Sequence, residues 1–234
     1  MTAAIGVGFD IDHTIAIDNK LERVALLRLL EQVVEAGGHS IGSLEEEIVR
    51  IDDLLARQRR GQFTIDAAVE HFVRERGIAE GVAAYAVRFR SMTLDMAGEF
   101  VVPRTDARSA FAALRERGVR MAVLSNGWNP LQTFKARRAG FEGTVLASAE
   151  IGVQKPDSRA FAALTAQLQT PPAQTWYVGD DPRADVEGAR DAGLRAVWLN
   201  ADRAKFPDDL AAPEFAVESL GALIELVIAA KIIA

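Results

Sequence analysis

The chain contains no cysteine. Disulfides, thiolate nucleophiles and cysteine-ligated metals are therefore excluded, and a reducing compartment is compatible with the composition. The expectation is a cytoplasmic protein. There is no excess of basic residues: 27 Lys and Arg face 33 Asp and Glu, a formal net charge of -6. This argues against a nucleic-acid surface, which calls for clustered cations. A small anionic ligand stays open, because a pocket can be basic while the whole is acidic. Met1 to Phe9 lacks the basic segment and long apolar run of a secretory signal and reads as a first strand. The apolar run Leu223 to Ala234 is broken by Glu225 and Lys231 and is too short to span a bilayer. A packed amphipathic helix is expected there, and no membrane partner. Internal repeats, low-complexity tracts and long flexible linkers are also lacking.

What is present suffices for a large folded unit. Of 234 residues, 49% are apolar, enough to bury a sizeable core. The length suits one large domain or a core plus a smaller insert. Ile5 to Phe9 is a short apolar run of the kind found in buried parallel strands. From Leu21 to Ala97 the pattern is helical. Leu21 to Glu35 stops at Gly37-Gly38, Ser43 with Glu46 makes a capping box for a helix ending near Gly61, and Thr64 caps a third helix running to Gly77. A fourth covers about Val82 to Met96. After Pro103 the pattern alternates. Helices are expected at Asp106 to Arg117, Pro130 to Arg138, Asp157 to Gln167 and Arg183 to Ala192. Strands are expected at Val119 to Leu124, Thr144 to Ala147, Thr175 to Val178 and Ala196 to Leu199. This predicts an α/β fold, a doubly wound parallel sheet with an all-helical insert. The core takes residues 1–17 and 100–234, and the insert takes residues 18–99.

In such sheets functional groups gather beyond the carboxyl ends of the strands. Four of these ends carry unusual polar residues. Asp10-Ile11-Asp12-His13-Thr14 places two carboxylates one residue apart, a repulsion that a divalent metal relieves. Ser125-Asn126-Gly127 offers a hydroxyl and backbone N–H groups suited to phosphate oxygens. Lys155 precedes the helix opened by Pro156-Asp157 and can neutralise charge on a phosphoryl group. Gly179-Asp180-Asp181 with Asp185 again gathers acids at a strand end. Each has a bland alternative: a capped polar loop, an ordinary turn, a solvated lysine, acids that complement a helix dipole. Their occurrence in one order, each at a strand end, is harder to obtain from bland causes.

These residues resemble the four motifs of the haloacid dehalogenase-like hydrolase superfamily. Asp10-Ile11-Asp12-His13-Thr14 is similar to its first motif, Ser125 to its second, Lys155-Pro156 to its third, and Gly179-Asp180 with Asp185 to its fourth. The helical block is similar to that superfamily's inserted cap, and the likeness spans nearly the whole chain. The family commonly has glycine where this chain has His13.

The resemblance implies a phosphate-monoester hydrolase. Asp10 is the expected nucleophile, forming an aspartyl-phosphate. Asp12 is the acid and then the base, and Thr14 helps set the loop. Ser125, the N–H of Asn126 and Lys155 hold the phosphoryl oxygens. Mg2+ is expected on the Asp10 and Asp180 carboxylates and the Asp12 backbone carbonyl, with Asp185 and Asp181 in support. The implied partner is a small phosphorylated substrate. Asp12 disfavours a 2-haloacid dehalogenase, since a halide leaves without a proton, and the intact Asp10 and Lys155 disfavour a non-catalytic binding protein. A phosphomutase, which shares the first steps, stays open. The insert is expected to lie over the site and select the substrate, with Gly38-His39-Ser40 and Arg57-Gln58-Arg59-Arg60 as candidate contacts. Substrate identity and oligomeric state are not written in the sequence.

Overall fold

A computed structural model describes residues 4–233, with side chains as far as residue 229. Two compact units emerge, Met1–Ile17 with Val102–Ala234, and Asp18–Val101.

The first unit is a parallel sheet with helices on both faces. Its strands are β1 (Gly6–Phe9), β4 (Arg120–Ser125), β5 (Thr144–Ala147), β6 (Thr175–Gly179), β7 (Arg195–Leu199) and β8 (Phe215–Val217), in the order β5-β4-β1-β6-β7-β8. The central strand β1 runs parallel to β4 and β6, Phe9 lying opposite Val123 and Val178. This is the α/β doubly wound architecture expected from the alternation of patterns. The helices are α5 (Ala107–Glu116), α6 (Leu131–Arg138), α7 (Ser148–Ile151), α8 (Ser158–Leu168), α9 (Gly188–Asp191), which continues a wide π-type segment Pro182–Glu187, and α10 (Leu220–Ile233). The sequence pattern predicts one helix over Arg183 to Ala192, which the structure divides between that segment and α9. A two-residue pair, β2 (Ala16–Ile17) against β3 (Val102–Pro103), runs antiparallel outside the main sheet.

Alternation along the strands divides the core in two. Val7, Phe9, Trp176, Val178, Val197 and Leu199 face one layer with Phe111, Phe141, Leu220 and Leu223. Tyr177, Trp198 and Leu124 face the other with Phe161 and Leu164. Burying each such side chain stabilises by roughly 1.5–3 kcal/mol. Gly8 occupies the second face of β1 for a steric reason: a Cβ there would overlap Leu164 and crowd Tyr177 at 2.8 Å. The missing side chain lets α8 and the Tyr177 ring close over β1. At the other end of the chain Leu223 and Val227 of α10 are buried, so the run packs into the core as far as its side chains are described. Ala234 lies outside the described residues, among which no helix is long and apolar enough to cross a membrane.

The second unit consists of α1 (Leu21–Glu35), α2 (Leu44–Arg59), α3 (Ile65–Glu75) and α4 (Val82–Phe100). The capping signals act as read: Ser43 and Glu46 form the reciprocal box, and Thr64 accepts from the Ala67 N–H at 3.2 Å. Leu21, Ala25, Leu26, Leu29 and Val33 form the buried stripe of α1. Inside this unit lies a buried ion pair, Arg76 with Glu47, each side chain 1% exposed. Glu47 also accepts from Ser40 Oγ at 2.8 Å and Ile41 N at 2.9 Å, and the His39 N–H donates to the Arg76 carbonyl at 3.0 Å. The Gly38-His39-Ser40 loop is thus pinned by this pair. In the basic segment, Arg57 Nε donates to Gln62 at 3.0 Å and Arg59 lies 3.6 Å from Glu22.

Candidate active site

The polar residues at the ends of β1, β4 and β6 meet at one edge of the sheet, and Lys155 joins them from the loop after α7 rather than directly from the end of β5. Asp10 follows β1 and remains registered to its neighbour, its N–H donating to the Val178 carbonyl at 2.9 Å. Its carboxylate is buried and accepts from Lys155 Nζ at 2.6 Å. The same ammonium donates to Asp185 Oδ1 at 2.7 Å and to Tyr177 Oη at 2.9 Å. Tyr177 in turn donates to the Leu124 carbonyl at 2.7 Å. Lys155, predicted from its loop position, therefore sits at the centre of a network with all three of its donors used.

Asn126 explains how the Lys155 loop is held. Its side-chain amide donates to the Lys155 carbonyl and accepts from the Lys155 N–H, both at 2.8 Å. Ser125, the last residue of β4, is buried beside it in sequence. Thr14 is fully buried, and its hydroxyl donates to Asp180 Oδ1 at 3.3 Å. The Asp180 carbonyl accepts from the Trp198 indole at 2.9 Å.

Asp185 reaches the network because position 179 is glycine: a Cβ on Gly179 would overlap the Asp185 carboxylate. Its second oxygen accepts from the Asp181 N–H at 3.0 Å. The Asp181 carboxylate itself turns to the helix start, accepting from Arg183 N and Ala184 N at 2.8 Å each. Its structural work is that of an N-cap.

Asp10, Asp180 and Asp185 present carboxylate oxygens within 4.8 Å of one another. With one cation among three acids, charge is under-compensated. Burial, against the opposing pull of Lys155, pushes the Asp10 carboxyl above its ordinary value. Burial, then Asp185 and Asp10, push Asp180 well above it. Asp185 is raised to about 7, again chiefly by burial. Burial disfavours the Lys155 charge as well, but Asp10 and Asp185 outweigh it and hold the ammonium firmly protonated. Hard oxygen donors in such a cluster fit a magnesium ion.

Asp12 lies near enough for its charge to raise the Asp10 carboxyl further, and its own oxygens are met by helix α6. Its carboxylate is 28% exposed, accepts from Lys135 Nζ at 2.6 Å, and lies 3.5 Å from Gln132 Nε2. Neither partner was legible as a site residue, because Gln132 and Lys135 read as ordinary polar positions of a helix. His13, between Asp12 and Thr14, adopts a left-handed backbone with φ 59°, a conformation in which glycine is at ease. Arg104 Nε donates to its carbonyl at 3.1 Å. A cavity of about 340 Å3 opens here, lined by His13, Arg104, Asp180, Trp198, Asn200 and Lys205 among others.

The fold, the strand-end network and its acidic cluster define a class, and comparison with known proteins agrees. The chain belongs to the haloacid dehalogenase-like hydrolases, whose family model matches residues 6–193. It is therefore an enzyme of the hydrolase class. It is 40% identical over 119 residues to a phosphoserine phosphatase of Thermus thermophilus, an alignment that covers 49% of this chain and 47% of that one. It is 29% identical to a glyceraldehyde 3-phosphate phosphatase of Methanopyrus kandleri, over 94% of this chain and 95% of the relative. Among solved structures, the HAD-hydrolase YfnB from Bacillus subtilis superposes with a TM-score of 0.70 at 22% identity, covering 96% of this chain and 99% of that one.

Proposed function

We propose that the chain is a magnesium-dependent phosphate-monoester hydrolase that acts on a small phosphorylated metabolite through an aspartyl-phosphate on Asp10. The observation that carries this reading is the pairing of Asp10 with Lys155 at 2.6 Å beside Asp180 and Asp185. A buried carboxylate kept beside a cation is a nucleophile that an incoming dianion can approach. The relatives named for phosphatase activity on small phosphate esters support the substrate class.

Asp10 attacks phosphorus, and the Asp10–phosphorus bond forms as the ester P–O bond breaks. Asp12 gives its proton to the departing oxygen. It then takes a proton from the water that cleaves the aspartyl-phosphate, which releases phosphate and restores Asp10. Ser125 and the Asn126 N–H hold the phosphoryl oxygens while Lys155 offsets their charge. Magnesium would be held by the Asp10 and Asp180 carboxylates and the Asp12 backbone carbonyl. Asp185, both of whose oxygens are engaged, braces the set from behind. When bound, the ion supplies positive charge that lets carboxylate and phosphate dianion come together.

The helical unit is the substrate selector in this reading, because none of the proposed chemical residues lies between Asp18 and Val101. The test is release of inorganic phosphate from p-nitrophenyl phosphate with and without magnesium, followed by a panel of phosphorylated metabolites. Magnesium-dependent release with a ranked preference is expected. No release from any ester, with metal present, would overturn the assignment.

A further inference from the structure

Helix α6 buries Leu131, Gln132, Lys135 and Ala136. Two of its four inward residues are therefore polar, where leucine or methionine would pack without a desolvation penalty. Complementing the helix dipole does not account for Lys135. Arg137 and Arg138 already place charge in the last turn, and Lys135 is 1% exposed. Both polar residues converge on one group. Lys135 donates to Asp12 Oδ1 at 2.6 Å, and Gln132 Nε2 lies 3.5 Å from Asp12 Oδ2.

The preceding turn is shaped to admit this. A Cβ at Gly127 would overlap the Gln132 amide, so the turn that carries Ser125 and Asn126 is fitted to the side chain that reaches Asp12. The other end of that amide, Oε1, is buried and has no hydrogen-bond partner among the described residues. A core that only needed filling would not leave a buried acceptor unmade. Turned end for end, the same amide would accept a hydrogen bond from the carboxylic acid instead of donating to the carboxylate.

We infer that Lys135 and Gln132 are positioning residues for proton transfer, which hold the two oxygens of Asp12 in place for the leaving group and then for water. The inference rests on the role proposed above for Asp12. Both act through Asp12, by fixing the orientation of its carboxyl group.

The experiment uses the full chain with magnesium and a series of phosphate monoesters whose alcohols run from p-nitrophenol through phenol to a primary alkanol. The parameter is kcat/KM, which reports steps through departure of the leaving group. Positioned acid catalysis is worth on the order of 100-fold or more where the leaving group needs its proton. Lys135→Met is expected to lower kcat/KM for the alkanol ester by about that factor, and for p-nitrophenyl phosphate by less than about 10-fold. Gln132→Met is expected to tilt the series in the same direction by a smaller amount, and serves as the reading if Lys135→Met does not fold. Equal losses across the series, or no loss in a folded variant, would overturn the inference and leave the phosphatase assignment standing. Failure of the wild-type chain to cleave any ester would overturn that assignment and this inference with it.

Discussion

Lys155 donates to the Asp10 carboxylate at 2.6 Å, a contact between residues 145 positions apart. Among the described residues Lys155 is the cation that hydrogen-bonds to this acidic cluster. Lys155→Met should therefore weaken the metal-free fold and cut turnover by at least about 100-fold, the scale expected when a charge stabiliser is lost. Magnesium should restore part of the stability and little of the activity. Thermal unfolding with and without magnesium, run beside the assay, checks both halves. A variant as active as the wild type would detach Lys155 from the chemistry.

The cluster also sets the sign of a pH dependence. Asp10, Asp180 and Asp185 are raised in the folded state, Asp185 to about 7 from 3.8. A group whose folded value is raised favours folding most below its unfolded value, and that contribution is lost as pH rises through the folded value. Metal-free protein should thus lose core stability, on the order of a few kcal/mol, from about pH 4 to pH 7. Magnesium binds the charged form, so its protective effect should grow over the same window. Denaturant unfolding across that range checks it, and a magnesium effect independent of pH would count against the cluster as its site.

The helical unit should behave in the opposite sense. Burial opposes the charge on Glu47, but Arg76, Ile41 N and Ser40 outweigh it and hold its carboxyl below the usual range. Its contribution is present above the ordinary glutamate value and lost as pH falls. Glu47→Gln leaves the buried Arg76 with only the part-exposed Glu75 at 3.9 Å to offset its charge, and should destabilise this unit by up to about 3–5 kcal/mol. Hydrogen exchange resolved by segment would show α2 and α3 loosening on substitution. Unchanged protection there would mean that the pair contributes nothing net.

The legibility of this molecule follows the range over which each signal acts. Ser43 with Glu46 and Thr64 with Ala67 are local bonds, and their helix starts could be read directly. Asp10, Ser125 and Asp180 could be placed because each ends or directly follows an apolar strand, and parallel strands carry their ends to one edge; Lys155 lies beyond α7 and was placed by the Pro156-Asp157 helix start that follows it. Tyr177 was hidden because its hydroxyl matters only when β6 lies beside β1, and in sequence it is one more aromatic in a strand. Lys135 and Gln132 were hidden because their meaning depends on Asp12, more than a hundred positions away. The strand β8 has only three residues and lies beyond a turn-rich stretch, too short for a periodic signal. Asp181 illustrates the converse. It stands among the acids of a motif, yet its carboxylate serves the helix beginning at Pro182.

The central claim is that Asp10 carries the phosphoryl group. It is tested most directly by acid-quenching the enzyme during turnover of a phosphate monoester with magnesium and mapping the phosphorylated peptide by mass. The wild-type chain should carry one phosphoryl group on the peptide containing Asp10, lost on treatment with hydroxylamine, and Asp10→Asn should carry none while retaining its fold. Wild-type-like turnover by purified Asp10→Asn, or a phosphoryl group on any other peptide, would contradict the account.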